Sequence, residues 1–136
     1  MDFSTSMTVA ASGLRAQSER MKVIAENIAN ANSTSPVPGG EPYRRKIATI
    51  TPSFDRELDA NLVNAGKPIP DKSDFRSQYD PGNPNADKQG YVKLPNVDSL
   101  VEIMDMREAQ RSFEADLTVM DATKQMLAKT VDLLNK

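Results

Sequence analysis

Apolar residues recur every seven positions near both ends of this 136-residue chain. Near the N-terminus there are two series with this spacing. The first is Met7, Leu14, Met21 and Ile28, and the second, three residues further along, is Ala10, Gln17, Ile24 and Ala31. This is the a and d spacing of a coiled-coil helix. It predicts an N-terminal helix within residues 1–34, which ends around Asn30 and Asn32 because Pro36 follows.

The C-terminal pattern is longer and covers about five heptads. Its d positions are Met106, Phe113, Met120, Leu127 and Leu134, and its a positions are Ile103, Gln110, Leu117, Lys124 and Val131. Asp98 or Ser99 is placed to cap the start, and Glu102 follows Ser99 by the spacing of a capping box. The pattern predicts a second helix within residues 97–136, with a length of about 55 Å.

We expect the two helices to pair lengthwise as a coiled coil and to form one domain. The residues expected to face each other across this pair are Met7, Leu14, Met21, Ile24 and Ile28 on the first helix and Met106, Phe113, Leu117, Met120, Leu127 and Val131 on the second. Gln17, Gln110 and Lys124 weaken the two series. Such series favour an assembly in which neighbouring chains share the burial, and a two-helix hairpin in a monomer is the alternative.

The middle of the chain, residues 35–96, has a different composition. All nine prolines of the chain lie here, and so do five of the six glycines. Such a stretch is typical of turns and loops between short strands. A flexible linker is the alternative, but the aromatic residues spaced along the segment are uncommon in disordered linkers.

Three elements are predicted inside this middle segment. Tyr43–Thr51 has the β-branched and aromatic residues of a strand. Asp55–Ala65 is predicted to be a short helix, because Leu58 and Leu62 lie on one face and Gly66 follows. Gly90–Leu94 alternates and is expected to form a hairpin, either with Tyr43–Thr51 or with the stretch before Tyr79. The fold class is therefore mainly α, with a small loop and β-hairpin middle segment.

Composition argues against several kinds of function. The chain has no histidine and no cysteine, which excludes disulfides and imidazole or thiolate metal sites. It carries no phosphate-binding or hydrolase motif, so we expect no enzyme, no cofactor and no small-molecule substrate. Its 17 basic and 19 acidic residues nearly balance, and Arg44–Lys46 is too short a basic cluster to indicate nucleic-acid binding.

The sequence also bears on location. No apolar run approaches the roughly 20 residues that a membrane-spanning helix needs. The start of the chain lacks the basic and apolar regions of a cleaved signal peptide. It is polar and rich in serine and threonine, which is typical of type III export substrates and also of many cytoplasmic proteins.

Three runs of residues resemble the bacterial flagellar rod and hook proteins. The first, Glu26–Thr34, contains the motif residues Asn27, Ala29 and Asn30 at the end of the first helix. The second, Ala109–Ala115, contains Gln110, Arg111 and Glu114 in the last helix. The third, Tyr79–Val97, resembles the proximal-rod type of that family through Tyr79, Asp80, Pro81, Gly82, Gly90, Tyr91 and Asn96. The variable Ser33–Glu41 and Asp74 depart from the family pattern, and neither lies in a predicted helix.

The resemblance implies a structural subunit of the flagellar basal-body rod. Its partners would be copies of itself, other rod proteins and, during secretion, the flagellar type III export apparatus. It would lie in the periplasmic rod, exported from the cytoplasm without a cleaved signal peptide. A distal-rod or hook-junction component, and a cytoplasmic coiled-coil adaptor, are the alternatives.

Overall fold

The computed structural model describes residues 2–135 and contains two long helices with six short strands between them in sequence. Helix α1 is Phe3–Ala29 and helix α2 is Ser99–Leu134. The strands are β1 Lys46–Ile47, β2 Ile50–Asp55, β3 Ala60–Ala65, β4 Ile69–Pro70, β5 Arg76–Tyr79 and β6 Tyr91–Leu94. The predicted arrangement of two terminal helices and a small β-containing middle is confirmed. Neither helix is long and apolar enough to cross a membrane.

The strands form three separate antiparallel pairs, β1 with β4, β2 with β3, and β5 with β6. The last pair decides between the two partners predicted for Gly90–Leu94, because its β6 pairs with the stretch before Tyr79. Tyr79 lies opposite Tyr91, and their rings meet edge to face with centroids 5.2 Å apart. Tyr43–Thr51 is not one continuous strand, since only its Lys46–Ile47 and its last two residues are in strands.

The short helix predicted over Asp55–Ala65 is wrong. This stretch is the turn and second strand of the β2–β3 hairpin. The Asp55 carboxylate accepts hydrogen bonds from the backbone N–H groups of Glu57 and Leu58, at 2.9 and 3.2 Å, and Asp59 has a φ of 47°. An aspartate that bonds the following backbone in this way favours a turn over a helix, and this outweighs the helical spacing of the leucines.

The ends of the helices follow from local hydrogen bonding. After Ala29 the chain tightens into a turn, in which the N–H of Ala31 donates to the carbonyl of Ile28 at 3.2 Å. At the start of α2 the Asp98 carboxylate accepts from the N–H of Leu100 at 2.9 Å, so the predicted cap is present. The capping box is wrong, because the side chain of Glu102 points into a buried cluster described below.

The chain divides into two compact units, and each helix contributes to both. The first unit comprises the chain up to Met21, Thr49–Lys67, and the chain from Arg107 onward. Its buried residues within the described range are all small: Ala10, Ser12, Ala16, Ala60, Ala109 and Thr123.

The side chain of Asp116 on α2 lies close to Gly13 on α1. A Cβ atom on Gly13 would lie 2.5 Å from a carboxylate oxygen of Asp116, so the Asp116 side chain would have to shift to admit a larger residue at position 13. In the same unit Arg20 and Glu108 form an ion pair at 3.4 Å, and the Ser12 hydroxyl accepts from the N–H of Val63 at 3.1 Å.

The second unit comprises Lys22–Ala48 and Pro68–Met106, and it buries larger side chains. Its apolar core contains Val23, Ile24, Val92, Pro95 and Val97. Two of its least exposed side chains are polar, Asn27 at 1% and Glu102 at 0%. A buried charge and a buried amide are unfavourable unless their hydrogen bonds are satisfied, so their partners determine how this unit holds together.

Candidate functional site

A buried polar cluster lies in the second unit, and we call it the Glu102 cluster. Its members come from five separate parts of the chain: Asn27, Tyr43, Arg45, Asp71, Asn96 and Glu102. Asn27 lies near the end of α1, and Glu102 lies in the first turn of α2. The other four belong to the middle segment, so the cluster connects both helices to that segment.

Asn27 uses its whole hydrogen-bonding capacity inside the protein. Its amide nitrogen donates to the carbonyl of Lys46 at 2.8 Å and to the carboxylate of Glu102 at 3.1 Å. Its amide oxygen accepts from the Tyr43 hydroxyl at 2.8 Å and from the N–H of Lys46 at 2.9 Å. Two donors and two acceptor sites are all that an asparagine side chain offers, so this residue is fully satisfied.

Glu102 is a buried carboxylate paired with an arginine. One of its oxygens accepts from the Arg45 Nε–H, and the other accepts from Asn27. Arg45 also lies 3.2 Å from the Asp71 carboxylate and 3.8 Å from that of Asp105. Partial burial tends to lower the pKa of Arg45, but the hydrogen bonds and charges of Glu102 and Asp71 outweigh that effect, and the pKa is raised.

Asn96 and Asp71 complete the cluster on the side of the middle segment. The Asn96 amide oxygen accepts from the backbone N–H of Arg45 at 2.8 Å, and its nitrogen donates to the Ser73 hydroxyl at 2.9 Å. Hydrogen bonds from Ser73, and then from Arg45, lower the pKa of Asp71. The cluster is thus a set of paired groups suited to holding chain segments together.

Exposed apolar side chains form a second feature, and most of them lie on α2. In the second unit these are Leu100, Val101, Ile103 and Met104, of which Leu100 is 68% exposed. In the first unit they are Leu117, Val119, Met126, Leu127, Val131, Leu133 and Leu134. Exposed apolar side chains in such number are typical of protein–protein interaction sites.

The residues predicted to pair the helices differ in burial between α1 and α2. On α1, Ile24 is buried, and Met7, Leu14, Met21 and Ile28 are half-buried. On α2, Met106, Phe113 and Met120 are half-buried, whereas Leu117, Leu127 and Val131 are 40%, 43% and 48% exposed in the single chain. The buried positions of α2 lie one residue before the predicted a positions: Glu102, Ala109 and Thr123.

The predicted motif residues lie in different parts of the structure. Asn27 and Asn96 belong to the Glu102 cluster, whereas the Asn30 side chain donates to the carbonyl of Glu26, four residues earlier on α1. Asp80, Pro81, Gly82 and Gly90 lie in the β5–β6 connection, where the N–H of Asp80 donates to the carbonyl of Gly90, whose φ is 85°. Tyr79 and Tyr91 are exposed at facing ends of β5 and β6. The remaining motif residues are exposed on the helices: Ala29, Gln110, Arg111 and Glu114.

The sequence analysis missed four cluster members: Tyr43, Arg45, Asp71 and Glu102. One signal was present in the sequence. Glu102 is a single charge among Leu100, Val101, Ile103 and Met104, and such a residue is either an interruption of an apolar surface or a buried, paired group. Its partners are 57 residues away at Arg45 and 75 residues away at Asn27, so only the fold reveals them.

Comparison with known proteins decides the family. Residues 7–35 match the family described as flagella basal body rod protein, and residues 88–133 match the flagellar basal body rod FlgEFG protein C-terminal family. The flagellar basal-body rod protein FlgC of Agrobacterium fabrum is 47% identical over 131 residues, covering 96% of this chain and 94% of that protein. The chain belongs to the FlgC family of flagellar basal-body rod proteins.

More distant FlgC proteins match over a similar span. That of Bacillus subtilis is 40% identical, with 94% of this chain and 95% of that protein covered. That of Escherichia coli O6:H1 is 38% identical, with 92% of each covered. The resemblance inferred from the three sequence runs is therefore confirmed. The two matched regions contain Asn27, Asn96 and Glu102, and the other cluster residues Tyr43, Arg45 and Asp71 lie between those regions.

Proposed function

We propose that this chain is a structural subunit of the bacterial flagellar basal-body rod and has no catalytic role. It polymerises with copies of itself and with other rod proteins into a hollow helical shaft that transmits torque for motility and surrounds the export channel. The observation that carries this proposal is the match over nearly the whole chain to proteins named flagellar basal-body rod protein FlgC. These names, and those of both matched families, describe rod proteins and not enzymes.

The structure supports an assembly role for the first unit. Its buried residues are alanine, serine and threonine, while Leu117, Leu127 and Val131 stay in water. Burial of apolar surface stabilises a protein by about 25 cal/mol per Å², so the small buried side chains contribute little. Burial of the exposed leucine and valine side chains would stabilise the unit further. Neighbouring subunits would supply that burial, with the two helices acting as a coiled coil in the assembled rod. A contact between unlike surfaces, repeated by rotation and translation, builds an open helical polymer.

This reading predicts how the isolated chain behaves. The parts of α1 and α2 in the first unit should be ordered mainly on assembly, because fixing each residue costs roughly 1–2 kcal/mol of backbone entropy. The second unit, with its larger core and Glu102 cluster, should stay folded. Amide exchange on the dilute chain measures both, and strong protection of α2 beyond Arg107 would contradict the prediction.

We further propose that the chain reaches the periplasm by the flagellar type III apparatus, without a cleaved signal peptide. Its polar N-terminal stretch supports this route. Chains that lack residues 2–20 should fail to be secreted. Chains that lack residues 79–96 should be secreted, although they lose β6 and Asn96, because export does not require the folded second unit. Normal secretion without residues 2–20 would contradict the proposed route.

The central experiment is fractionation of cells that carry a tagged chain in place of the native copy. A rod subunit restores motility and sediments with purified basal bodies. A cytoplasmic adaptor would restore motility while remaining in the soluble fraction. A distal-rod or hook-junction component would sediment, but it would be missing from basal bodies that stop at the proximal rod. Either of these last two results would overturn the proposal.

A further inference from the structure

We infer that the Glu102 cluster is a polar latch that fixes the rotation of α2 about its own axis, against the preference of its apolar side chains. This goes beyond the proposed function and does not depend on it. The starting observation is an inverted pattern in the first turns of α2. Glu102 is fully buried, while the apolar residues on either side of it, Val101 and Ile103, are 46% and 43% exposed.

In the first turns of α2, hydrophobic burial alone favours a different rotation. Each residue of an α-helix turns the chain by about 100°, so a roll of that size would put Ile103 where Glu102 now lies. The heptad pattern of the sequence also predicts Ile103 as an inward a position. The observed rotation leaves Ile103 in water and buries a carboxylate, and both effects are unfavourable by themselves.

Specific polar contacts offset the cost of exposing Ile103 and burying the Glu102 carboxylate. The two oxygens of Glu102 meet Arg45 Nε and Asn27 Nδ2, which approach from different chain segments. Both partners are held in place by other groups: Asn27 by Tyr43 and Lys46, and Arg45 by Asp71 and the Asn96 side chain. A roll of α2 would leave Arg45 and Asn27 without Glu102, and an unpaired buried group is costly.

The absence of native cysteine makes the rotation measurable with single introduced thiols. Ile103→Cys reports the outward face of α2. Val23→Cys reports whether the second unit is folded, because Val23 is only 6% exposed. In the otherwise unaltered full-length chain, the thiol at position 103 should react quickly with a soluble maleimide, and the thiol at position 23 should react slowly. Equal, fast reaction at both positions would overturn the inference at the outset.

Removal of the latch is then tested with Glu102→Ala. We expect the reaction at position 103 to slow by about tenfold, as α2 rolls to bury that side chain, while position 23 stays protected. Glu108→Ala is the matched control, because this glutamate is on the same helix with its side chain 69% exposed, and it should change neither rate. If position 103 stays fast while position 23 stays protected, the cluster does not set the rotation and the inference is wrong.

A second variant decides the case in which Glu102→Ala unfolds the unit. Arg45→Met keeps the Glu102 carboxylate but removes its cationic partner, so the latch predicts that α2 rolls to return the carboxylate to water. Slow reaction at both positions supports the inference, and fast reaction at position 103 alone refutes it. Loss of protection at position 23 in both variants also refutes it, because the cluster would then be required for folding of the unit and would not act by setting the rotation of a folded α2.

Discussion

Replacement of Asn27 by alanine should destabilise the second unit more than any other single asparagine change in the chain. The substitution removes four hydrogen bonds: one to the carbonyl and one from the N–H of Lys46, one from Tyr43 and one to Glu102. Neutral hydrogen bonds contribute about 1 kcal/mol each, and a bond to a charged group contributes about 1.5–3 kcal/mol. The sum is about 5 kcal/mol, and local relaxation lowers the expected loss in unfolding free energy to roughly 3–5 kcal/mol.

Urea denaturation of the full-length chain, followed by circular dichroism, measures this loss. Asn30→Ala is the matched control, because Asn30 lies on the same helix end, is half-buried and makes one side-chain bond, to the Glu26 carbonyl. That change should cost about 1 kcal/mol or less. Equal effects of the two substitutions would refute the reasoning, because they would show that the buried network contributes no more than an ordinary helix-end hydrogen bond.

An isosteric change separates hydrogen bonding from packing. Asn27→Asp keeps the shape of the side chain but replaces its donor nitrogen with an oxygen that faces the Glu102 carboxylate and the Lys46 carbonyl. At neutral pH two carboxylates would then meet in a buried site, which is strongly unfavourable. Asn27→Asp should therefore be at least as destabilising as Asn27→Ala, and a smaller effect would mean that the lost volume matters more than the hydrogen bonds.

Two further predictions concern α2 in the first unit. Leu117→Asp should leave the isolated chain as stable as before, since Leu117 is 40% exposed. The same substitution should abolish rod assembly and swimming. Cells that carry it and swim normally would contradict the assembly role of this face. Burial raises the pKa of Asp116 above 3.8, so stability is full below that value and falls as pH rises through the raised pKa. Asp116→Asn should therefore raise the urea concentration needed to dissociate assembled rods at pH 7 and leave it nearly unchanged at pH 3, and a lower value at pH 7 would show that the carboxylate is stabilising.

The sequence alone determined that the two ends of the chain are helical. Heptad repeats without proline predict helices at both ends, and a proline in the interior of a helix costs about 3 kcal/mol, so the proline-rich middle had to be different. The start of α2 at Ser99 is equally local, because Asp98 bonds backbone groups only two residues away. The strand at Gly90–Leu94 was also predictable from its alternation. These features depend on interactions between residues that are close in sequence, so they can be predicted from the sequence alone.

Tertiary structure decided the rest. The hairpin over Asp55–Ala65 replaced a predicted helix, because the strand–strand hydrogen bonds of β2 with β3 outweighed the spacing of its leucines. The inward face of α2 was shifted by one residue, with Glu102 buried where Ile103 was expected. An argument from periodicity assigns apolar residues to the buried face of a helix and charged residues to the solvent face. It therefore places Glu102 in water. Only the fold brings Arg45 and Asn27 to that glutamate, and their hydrogen bonds make its burial stable.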